Sequence, residues 1–304
     1  MRRTTFSLAV ILGFLTLFLA PDLAHAQATR TWVSGVGDDA NPCSRTAPCK
    51  TFAGAISKTA AGGEINCIDP GGFGTVTIVK SITIDCQEIP ASILASGTNG
   101  INVNAGAADK IVLRGLSING AGTTLGLRGI NILAGGSVTV ENVRVFGFSQ
   151  QGIADTRAAG GTLAITDTVS RNNATAGVGI ANGATVKVVI DNLRALNNGH
   201  GVAFGPNAFI MIKGSALSNN TNAGIDNEGA NIVVSGTAIS SNGTGVLNTA
   251  NGITRLANND IVFNTTSINN SSGSVISFGN NRTNTPTSGP ITPAGGATSD
   301  LGQQ

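Results

Sequence analysis

Short segments in which apolar and polar residues alternate recur through most of the chain. Ser137–Glu141 reads Ser-Val-Thr-Val-Glu, and Asn231–Ser235 reads Asn-Ile-Val-Val-Ser, an almost continuous apolar run. Segments of this length and pattern are typical of β-strands with at least one buried face. A phrase of Gly followed by Ile or Val recurs with them, at Gly100-Ile101, Gly129-Ile130, Gly152-Ile153, Gly177-Val178, Gly201-Val202, Gly224-Ile225 and Gly245-Val246.

This recurrence indicates a repeat of about 22 residues. Strands this short bury little apolar area alone, so each repeat must stack on its neighbours. About 22 residues accommodate two or three strands with their turns, which is one coil of a β-solenoid whose coils lie about 4.8 Å apart. A propeller blade would need about 40–45 residues, and a β-sandwich would not keep one phrase in phase over so many repeats. We therefore predict an all-β solenoid over residues 61–284.

A second phrase places Asn three positions after an aliphatic residue, as in Leu217 and Asn220. Equivalent residues of successive coils form columns in a solenoid. An Asn column suits a tight turn, because each side-chain amide bonds to the next coil and Asn tolerates the left-handed backbone conformation. The predicted column consists of Asn172, Asn198, Asn220, Asn242 and Asn264.

The two ends of a solenoid need protection, because an open coil exposes unpaired strand edges. At the front, residues 27–60 are predicted to form a cap. Its short helix has Phe52 and Ile56 on one face and Thr51 as N-cap. At the back, the Pro/Thr/Gly-rich segment 285–304 is predicted to be disordered.

Residues 1–26 are predicted to be a secretory signal peptide. Two arginines and an apolar run precede Ala24-His25-Ala26, which has the small-x-small pattern of a cleavage site. An uncleaved anchor is disfavoured, because Pro21 ends the apolar run short of the roughly 20 residues that span a bilayer. We expect a mature chain from Gln27 that is periplasmic, secreted or at the cell surface, with no membrane insertion.

All four cysteines lie early in the chain, at Cys43, Cys49, Cys67 and Cys86. An even number in an exported protein favours disulfides. Three pairings are possible, of which we favour Cys43 with Cys49 across a short loop and Cys67 with Cys86 between neighbouring coils. A zinc site is the alternative, but the spacings are not those of CxxC motifs and no histidine is nearby.

Three segments carry a resemblance to a known group: residues 32–42, Ala47–Phe52 and Gly62–Ile65. They resemble the first part of secreted bacterial right-handed parallel β-helix proteins, and residues 277–282 resemble the end of the same group. The resemblance covers about residues 31–284. It implies a single-stranded right-handed parallel β-helix, the fold that this group shares with pectate lyases.

The resemblance also implies where chemistry would lie. Enzymes with this fold act on acidic or neutral polysaccharides in a groove along one parallel sheet. Pectate lyases bind Ca²⁺ through clustered carboxylates and use Arg or Lys as the base, and related hydrolases use clustered Asp residues near a His. Many members of the group have no assigned activity.

Composition and charge narrow the function further. Gly supplies 42 residues, charged residues are only 11% of the chain, and the formal net charge is +2. So small a charge argues against a nucleic-acid-binding surface. One outward column is predicted to pair opposite charges in adjacent coils, Arg114 with Glu141 and Asp191 with Lys213, as a surface ion-pair ladder.

Candidate catalytic carboxylates are few and do not share one column. Asp155 and Asp226 are predicted to lie about three coils, or roughly 14 Å, apart. That separation is too large for a catalytic carboxylate pair or a shared Ca²⁺. Asp226 and Glu228 are the closest local pair. All three are weak candidates, and a solvated turn is the favoured interpretation.

Other candidate residues are isolated in the sequence. Asp38 and Asp39 lie in a Gly-rich loop and are weak candidates for Ca²⁺, although a structural turn is favoured. His200 is the only histidine after residue 26, and it has no evident acid or nucleophile partner. Phe148 stands where other coils have Asn and is a candidate exposed aromatic for carbohydrate stacking.

The sequence favours a secreted, non-catalytic β-helix protein that binds a polysaccharide or another cell-surface polymer, as a monomer and without a cofactor. The alternative is a pectate-lyase-like polysaccharide lyase or a glycoside hydrolase, and only the lyase would imply Ca²⁺. Ice binding is supported only by the richness in Asn and Thr. It is disfavoured because no regular Thr-x-Thr ladder is present.

Overall fold

Residues 27–181, 183 and 185–295 are described in a computed structural model of the protein. The predicted signal peptide lies outside these residues. The chain passes through three parallel sheets in turn, so that neighbouring strands of one sheet belong to consecutive coils. The predicted parallel β-solenoid is therefore confirmed. Its right-handed sense is expected from the resemblance, and right-handed crossovers are the rule between parallel strands.

The three sheets contain 12, 10 and 10 strands. The first sheet consists of β1 (Ala28–Val33), β2 (Thr59–Cys67), β5 (Ile82–Asp85), β8 (Lys110–Arg114), β11 (Ser137–Glu141), β14 (Gly161–Thr166), β17 (Val186–Asp191), β20 (Ala208–Lys213), β23 (Asn231–Ser235), β26 (Gly252–Ala257), β29 (Gly273–Ser277) and β32 (Ile291–Pro293). The second consists of β3 (Gly71–Gly72), β6 (Ala91–Leu94), β9 (Leu116–Asn119), β12 (Arg144–Phe146), β15 (Val169–Arg171), β18 (Arg194–Leu196), β21 (Ala216–Ser218), β24 (Ala238–Ser240), β27 (Asp260–Val262) and β30 (Arg282–Thr283). The third consists of β4 (Val76–Ile78), β7 (Ile101–Asn104), β10 (Ile130–Ala134), β13 (Ile153–Asp155), β16 (Ala176–Ile180), β19 (His200–Phe204), β22 (Ala223–Glu228), β25 (Thr244–Thr249), β28 (Thr266–Asn270) and β31 (Thr287–Ser288).

The core is the inside of the coils, where aliphatic side chains stack in register. One column of the first sheet is almost entirely buried and consists of Ile111, Val138, Leu163, Val188, Ile210 and Ile232. Burial of a side chain of this size stabilises the fold by about 1.5–3 kcal/mol. The strand pattern thus sets both the register and the core.

Asn and Gly are frequent because the corners between sheets need left-handed backbone. The corner between the first and second sheets has a positive φ at Asn142, Asn192 and Asn258, among others. The corner between the second and third sheets has it at Asn172 and Asn197. Asn adopts this conformation more readily than most residues with a side chain.

A buried Asn ladder runs beside the second of these corners. Its members are Asn173, Asn198, Asn220, Asn242 and Asn264, whose amides bond from coil to coil at 2.9–3.2 Å. Asn172, which the sequence analysis placed in the ladder, lies one residue earlier at the exposed corner.

The misplacement of Asn172 has a local cause. The inward residue of its coil is Ser170, which pairs with Ala195 in the next coil. Ser170 is fully buried and accepts a hydrogen bond from Asn173 Nδ2 at 3.1 Å. Because the inward residue is polar here, counting three positions from the neighbouring Val169 selects the wrong asparagine.

The predicted short helix is present at the front of the solenoid. Helix α1 (Phe52–Lys58) buries Phe52, Ala55 and Ile56, and the Thr51 side chain accepts a hydrogen bond from the Gly54 amide. Both predicted disulfides are present, Cys43–Cys49 and Cys67–Cys86. No helix among the described residues is both long and apolar enough to span a membrane.

The back of the solenoid differs from the prediction. Strands β31 and β32 lie inside the segment 285–304 that was expected to be disordered, and residues beyond 295 lie outside the described chain. The last coil offers an open edge, and carbonyls of Pro286 and Pro290 accept hydrogen bonds from Ser267 N and Asn270 Nδ2. Proline fits an edge strand because it need only accept hydrogen bonds there.

Candidate functional site

A trough of about 410 Å³ follows the corner between the second and third sheets. Its lining residues are Leu125, Gly147, Phe148, Asn172, Asn173, Ala174, Asn197, Asn198, Gly199, Thr221 and Asn222. Asn172, Asn197 and Asn222 are exposed, while the buried ladder amides form the floor. Asn172 and Asn197 are equivalent residues of adjacent coils, so the trough presents two exposed amides in register, followed by the amide of Asn222 in the next coil.

One end of the trough meets His200, the first residue of β19. Asn222 Nδ2 lies 3.2 Å from His200 Nε2. If the amide donates this hydrogen bond, the imidazole proton is on Nδ1. Nδ1 lies 3.3 Å from Asp226 Oδ2 on β22, in the next coil. This contact lacks hydrogen-bond alignment, so the buried Nδ1 has no hydrogen-bond partner among the described residues.

Asp226 is held in a position that favours its protonated form. Its side chain is only 8% exposed, and this burial raises the pKa of the Asp226 carboxyl. His200 opposes the rise, and Glu228 adds to it. Glu228 itself is exposed and lies two residues along the same strand, so both carboxylates project from the same face. A buried carboxyl with a raised pKa beside an exposed carboxyl is an arrangement found in acid–base sites.

No acid partner for His200 is evident from the sequence alone. The two residues lie 26 positions apart and meet only because Val202 pairs with Ile225 in adjacent coils. The repeat did contain this signal, since aligning Gly201 with Gly224 places the two residues in neighbouring coils.

Asp155 lies away from this site. It is fully buried and makes a two-pronged ion pair with the buried Arg157, whose Nη2 lies 2.5 Å from Asp155 Oδ2. Arg157 also donates to the carbonyl oxygen of Gly135 at 2.8 Å. Asp155 is committed to this internal pair and is not available to substrate.

A cationic site lies on the loop that also supplies Leu125. Arg128 donates to Gln151 Oε1 at 3.1 Å and to Asn131 Oδ1 at 3.0 Å. Asn131 in turn donates to Asn102 Oδ1 at 3.1 Å. No carboxylate among the described residues lies within ion-pair distance of Arg128, so its positive charge is oriented by neutral amides alone. The sequence alone does not indicate this arginine, because one of its two side-chain partners, Gln151, comes from the next coil.

Asp38 and Asp39 have structural roles. Asp38 accepts a hydrogen bond from the Ala40 amide. Asp39 accepts from the amides of Lys50 and Thr51 and from the Thr51 hydroxyl. Burial opposes ionisation of Asp39, but these bonds hold its pKa below the usual value. The loop and helix start account for both carboxylates.

Two further expectations concern Phe148 and Ca²⁺. Phe148 is buried, with 1% exposure, because it occupies the ladder column, and its amide donates to Asn173 Oδ1. It is not an exposed stacking platform. Ca²⁺ takes six to eight oxygen ligands, whereas the described part of the chain brings together no three His, Cys, Asp or Glu side chains around one point. The donor set near Asp226 and Glu228 does not fit that ion.

The predicted ion-pair ladder is present on the outer face of the first sheet. Arg114 Nε lies 2.8 Å from Glu141 Oε2, and Lys213 Nζ lies 2.9 Å from Asp191 Oδ2. Asp85 extends the first pair, at 3.7 Å from Arg114. These contacts are surface features and lie on a different face from the trough.

Comparison with known proteins gives structural neighbours only. No family profile and no curated protein sequence matches the chain. The solved structures similar to it include pectate lyase Pel9A (17% identity, 85% of this chain and 76% of that chain, TM-score 0.57) and an alginate lyase from Paenibacillus sp. (13%, 87% and 100%, 0.63). A rhamnogalacturonan lyase is also similar (14%, 86% and 84%, 0.57). At these identities the likeness is one of fold: the chain has the pectate-lyase-like parallel β-helix fold.

Proposed function

We propose that the protein binds a uronic-acid polysaccharide in the trough between its second and third sheets. The observation that supports this is the row of three exposed amides, Asn172, Asn197 and Asn222, which come from successive coils and end at His200. A linear polymer has a repeating structure too, so equivalent hydrogen bonds can form at successive coils.

The dimensions and chemistry of the trough suit such a ligand. It crosses the corners at Gly147, Asn172 and Asn197 and reaches Asn222 in the next coil, a run of about 14 Å at the spacing of stacked strands. Amide groups both donate to and accept from sugar hydroxyls and donate to carboxylates. Arg128 supplies positive charge on the loop that also contributes Leu125 to the trough. The structural neighbours are named for pectate, alginate and rhamnogalacturonan.

The experiment compares binding of oligogalacturonate and oligoalginate to residues 27–304 by calorimetry. Asn197→Asp keeps the size and the left-handed backbone tolerance of the residue but adds negative charge. We expect it to weaken binding about tenfold, or roughly 1.4 kcal/mol. Asn142→Asp makes the same change at an exposed left-handed position of the other corner and is expected to bind normally. Equal affinities for the two variants, or no binding by the parent, would contradict the proposal.

A second candidate function is cleavage of the bound polysaccharide, for which the raised pKa of Asp226 beside Glu228 and His200 is the specific observation. Hydrolysis would use Asp226 as the acid and Glu228 as the base, whereas elimination would use His200 as the base. Reducing-end formation measures hydrolysis, and ultraviolet absorbance of an unsaturated uronate measures elimination. If the parent and Asp226→Asn both bind the polysaccharide and neither forms either product, cleavage is refuted and only the binding function is supported.

We also propose that the protein is exported and that Gln27 becomes its first residue. Two disulfides, Cys43–Cys49 and Cys67–Cys86, are typical of an oxidising compartment. Edman sequencing of the protein purified from the periplasm or medium tests this, and a chain retaining residues 1–26 would refute it.

A further inference from the structure

The outer face of the first sheet carries a cluster of exposed apolar side chains. Val189, Met211 and Val233 are in register on β17, β20 and β23. They are 45%, 43% and 36% exposed. Phe209, two residues before Met211, is 50% exposed. Contiguous apolar patches on a soluble protein mark interaction sites more often than isolated apolar residues do.

Strand register arranges this face into three outward columns. The central column is mostly apolar and consists of Thr139, Ala164, Val189, Met211, Val233 and Arg255. One flanking column consists of Ser137, Thr162, Lys187, Phe209, Asn231 and Ile253. The other consists of Glu141, Thr166, Asp191, Lys213, Ser235 and Ala257. The face is therefore a central apolar stripe between two columns that are mostly polar.

We propose that a second copy of the chain packs on this face, related by a twofold axis parallel to the strands and midway between β17 and β20. A twofold interface must be self-complementary. This axis places Val189 of one copy opposite Met211 of the other. It places Lys187 opposite the Phe209 ring, a favourable cation–π pair. It also places Asp191 opposite Lys213, so that the ion pairs within each copy extend into a four-charge network across the interface.

Charge selects this position of the axis. An axis centred on β20 would set Lys213 against Lys213, and one centred on β17 would set Asp191 against Asp191. A twofold axis along the solenoid would set Arg255 against Arg255. With the axis between β17 and β20, Arg255 instead faces Thr139, next to Glu141. Like charges facing one another are costly in an interface.

The size of the face sets the strength of the dimer. Six strands from β11 to β26 span about 29 Å, and five residues of strand span about 17 Å. Each copy would therefore contribute about 500 Å², or about 1,000 Å² in total, which is at the lower limit of specific interfaces. The dimer should consequently depend on concentration. The sequence alone led to the expectation of a monomer, and the dimer is proposed as the alternative to it.

Sedimentation velocity of residues 27–304 over a hundredfold concentration range tests the proposal. We expect the parent to shift toward dimer and Met211→Asp to remain monomeric throughout. Leu94→Asp, an equally apolar-to-acidic change at an exposed residue of the second sheet, should dimerise like the parent. A parent that is monomeric at every concentration, or a Met211→Asp variant that dimerises equally, would overturn the proposal.

Cysteine pairing tests the geometry separately. Thr139 and Arg255 lie five coils apart in one chain, too far for a disulfide within it, but face each other across the proposed axis. Thr139→Cys/Arg255→Cys should therefore form disulfide-linked dimers on oxidation, and Arg255→Cys alone should not. Linked dimers from the single variant would instead indicate an axis along the solenoid and refute the arrangement.

Discussion

The Asn ladder makes a sharp stability prediction at Asn220. Its Oδ1 accepts hydrogen bonds from Asn198 N at 3.0 Å and from Asn198 Nδ2 at 3.2 Å. Its Nδ2 donates to Asn242 Oδ1 at 2.9 Å and to the carbonyl oxygen of Ala195 at 3.2 Å. Asn220→Ala removes all four bonds at a residue that is 1% exposed.

The cost depends on which groups lose every partner. Asn198 Nδ2 still donates to the carbonyl oxygen of Ser170, and Asn242 Oδ1 still accepts from Asn220 N. The Asn198 N–H, however, loses its acceptor inside the protein. An orphaned buried donor costs about 1–3 kcal/mol, and the small cavity adds to this. We expect Asn220→Ala to lower the free energy of unfolding by about 2–3 kcal/mol.

Urea unfolding followed by circular dichroism measures this change. Asn219→Gly is the matched control, because Asn219 is the exposed, left-handed neighbour and Gly keeps its backbone conformation. The control should change the free energy of unfolding by less than about 1 kcal/mol. If Asn220→Ala unfolds at the same urea concentration as the parent, the ladder does not stabilise the corners and the argument fails.

Four further predictions concern charge and cross-links. Burial raises the pKa of Asp226, so the folded protein loses stability as the pH rises through that pKa and the carboxyl becomes charged. Asp226→Asn removes this charge and should gain stability over the parent from pH 4 to 7 in thermal melts. Hydrogen bonds, chiefly from the Ser81 hydroxyl, lower the pKa of Asp109, so its charged form stabilises the folded protein. Asp109→Asn should therefore lose stability relative to the parent as the pH rises, and the same trend in both variants would contradict both pKa shifts. Arg157→Ala leaves Asp155 buried and unpaired and should lower the free energy of unfolding in urea by about 3–5 kcal/mol. Little change would mean that water compensates the charge and would contradict this prediction. Removing the Cys67–Cys86 disulfide, with its sequence separation of 19, should cost about 3 kcal/mol in the same assay, and an unchanged midpoint would refute that value.

The sequence predicts the fold well because one register serves every coil. The alternation in Ser137–Glu141 and the repeated Gly-aliphatic phrase contain the strand, the inward face and the stacking order together. The same redundancy predicted the ion pair of Arg114 with Glu141, since both residues occupy one outward column.

The candidate site is harder to predict because it breaks the repeat. His200 meets Asp226 diagonally between coils, and Arg128 is oriented by amides from separate coils. Ser170 replaces an aliphatic residue and shifts the assignment of the ladder by one position. The Pro/Thr/Gly-rich end was predicted to be disordered from its composition, which cannot show that the open edge of the last coil pairs with short strands flanked by proline.

The constant length of the later coils has a consequence for how such a chain changes over time. From Asn198 to Asn264 the ladder advances by 22 residues at every step. Removal or duplication of one complete coil of 22 residues would connect equivalent backbone positions of the flanking coils. Every remaining column of side chains would stay aligned. Unequal recombination can thus lengthen or shorten the molecule one layer at a time, with no requirement to invent a new core.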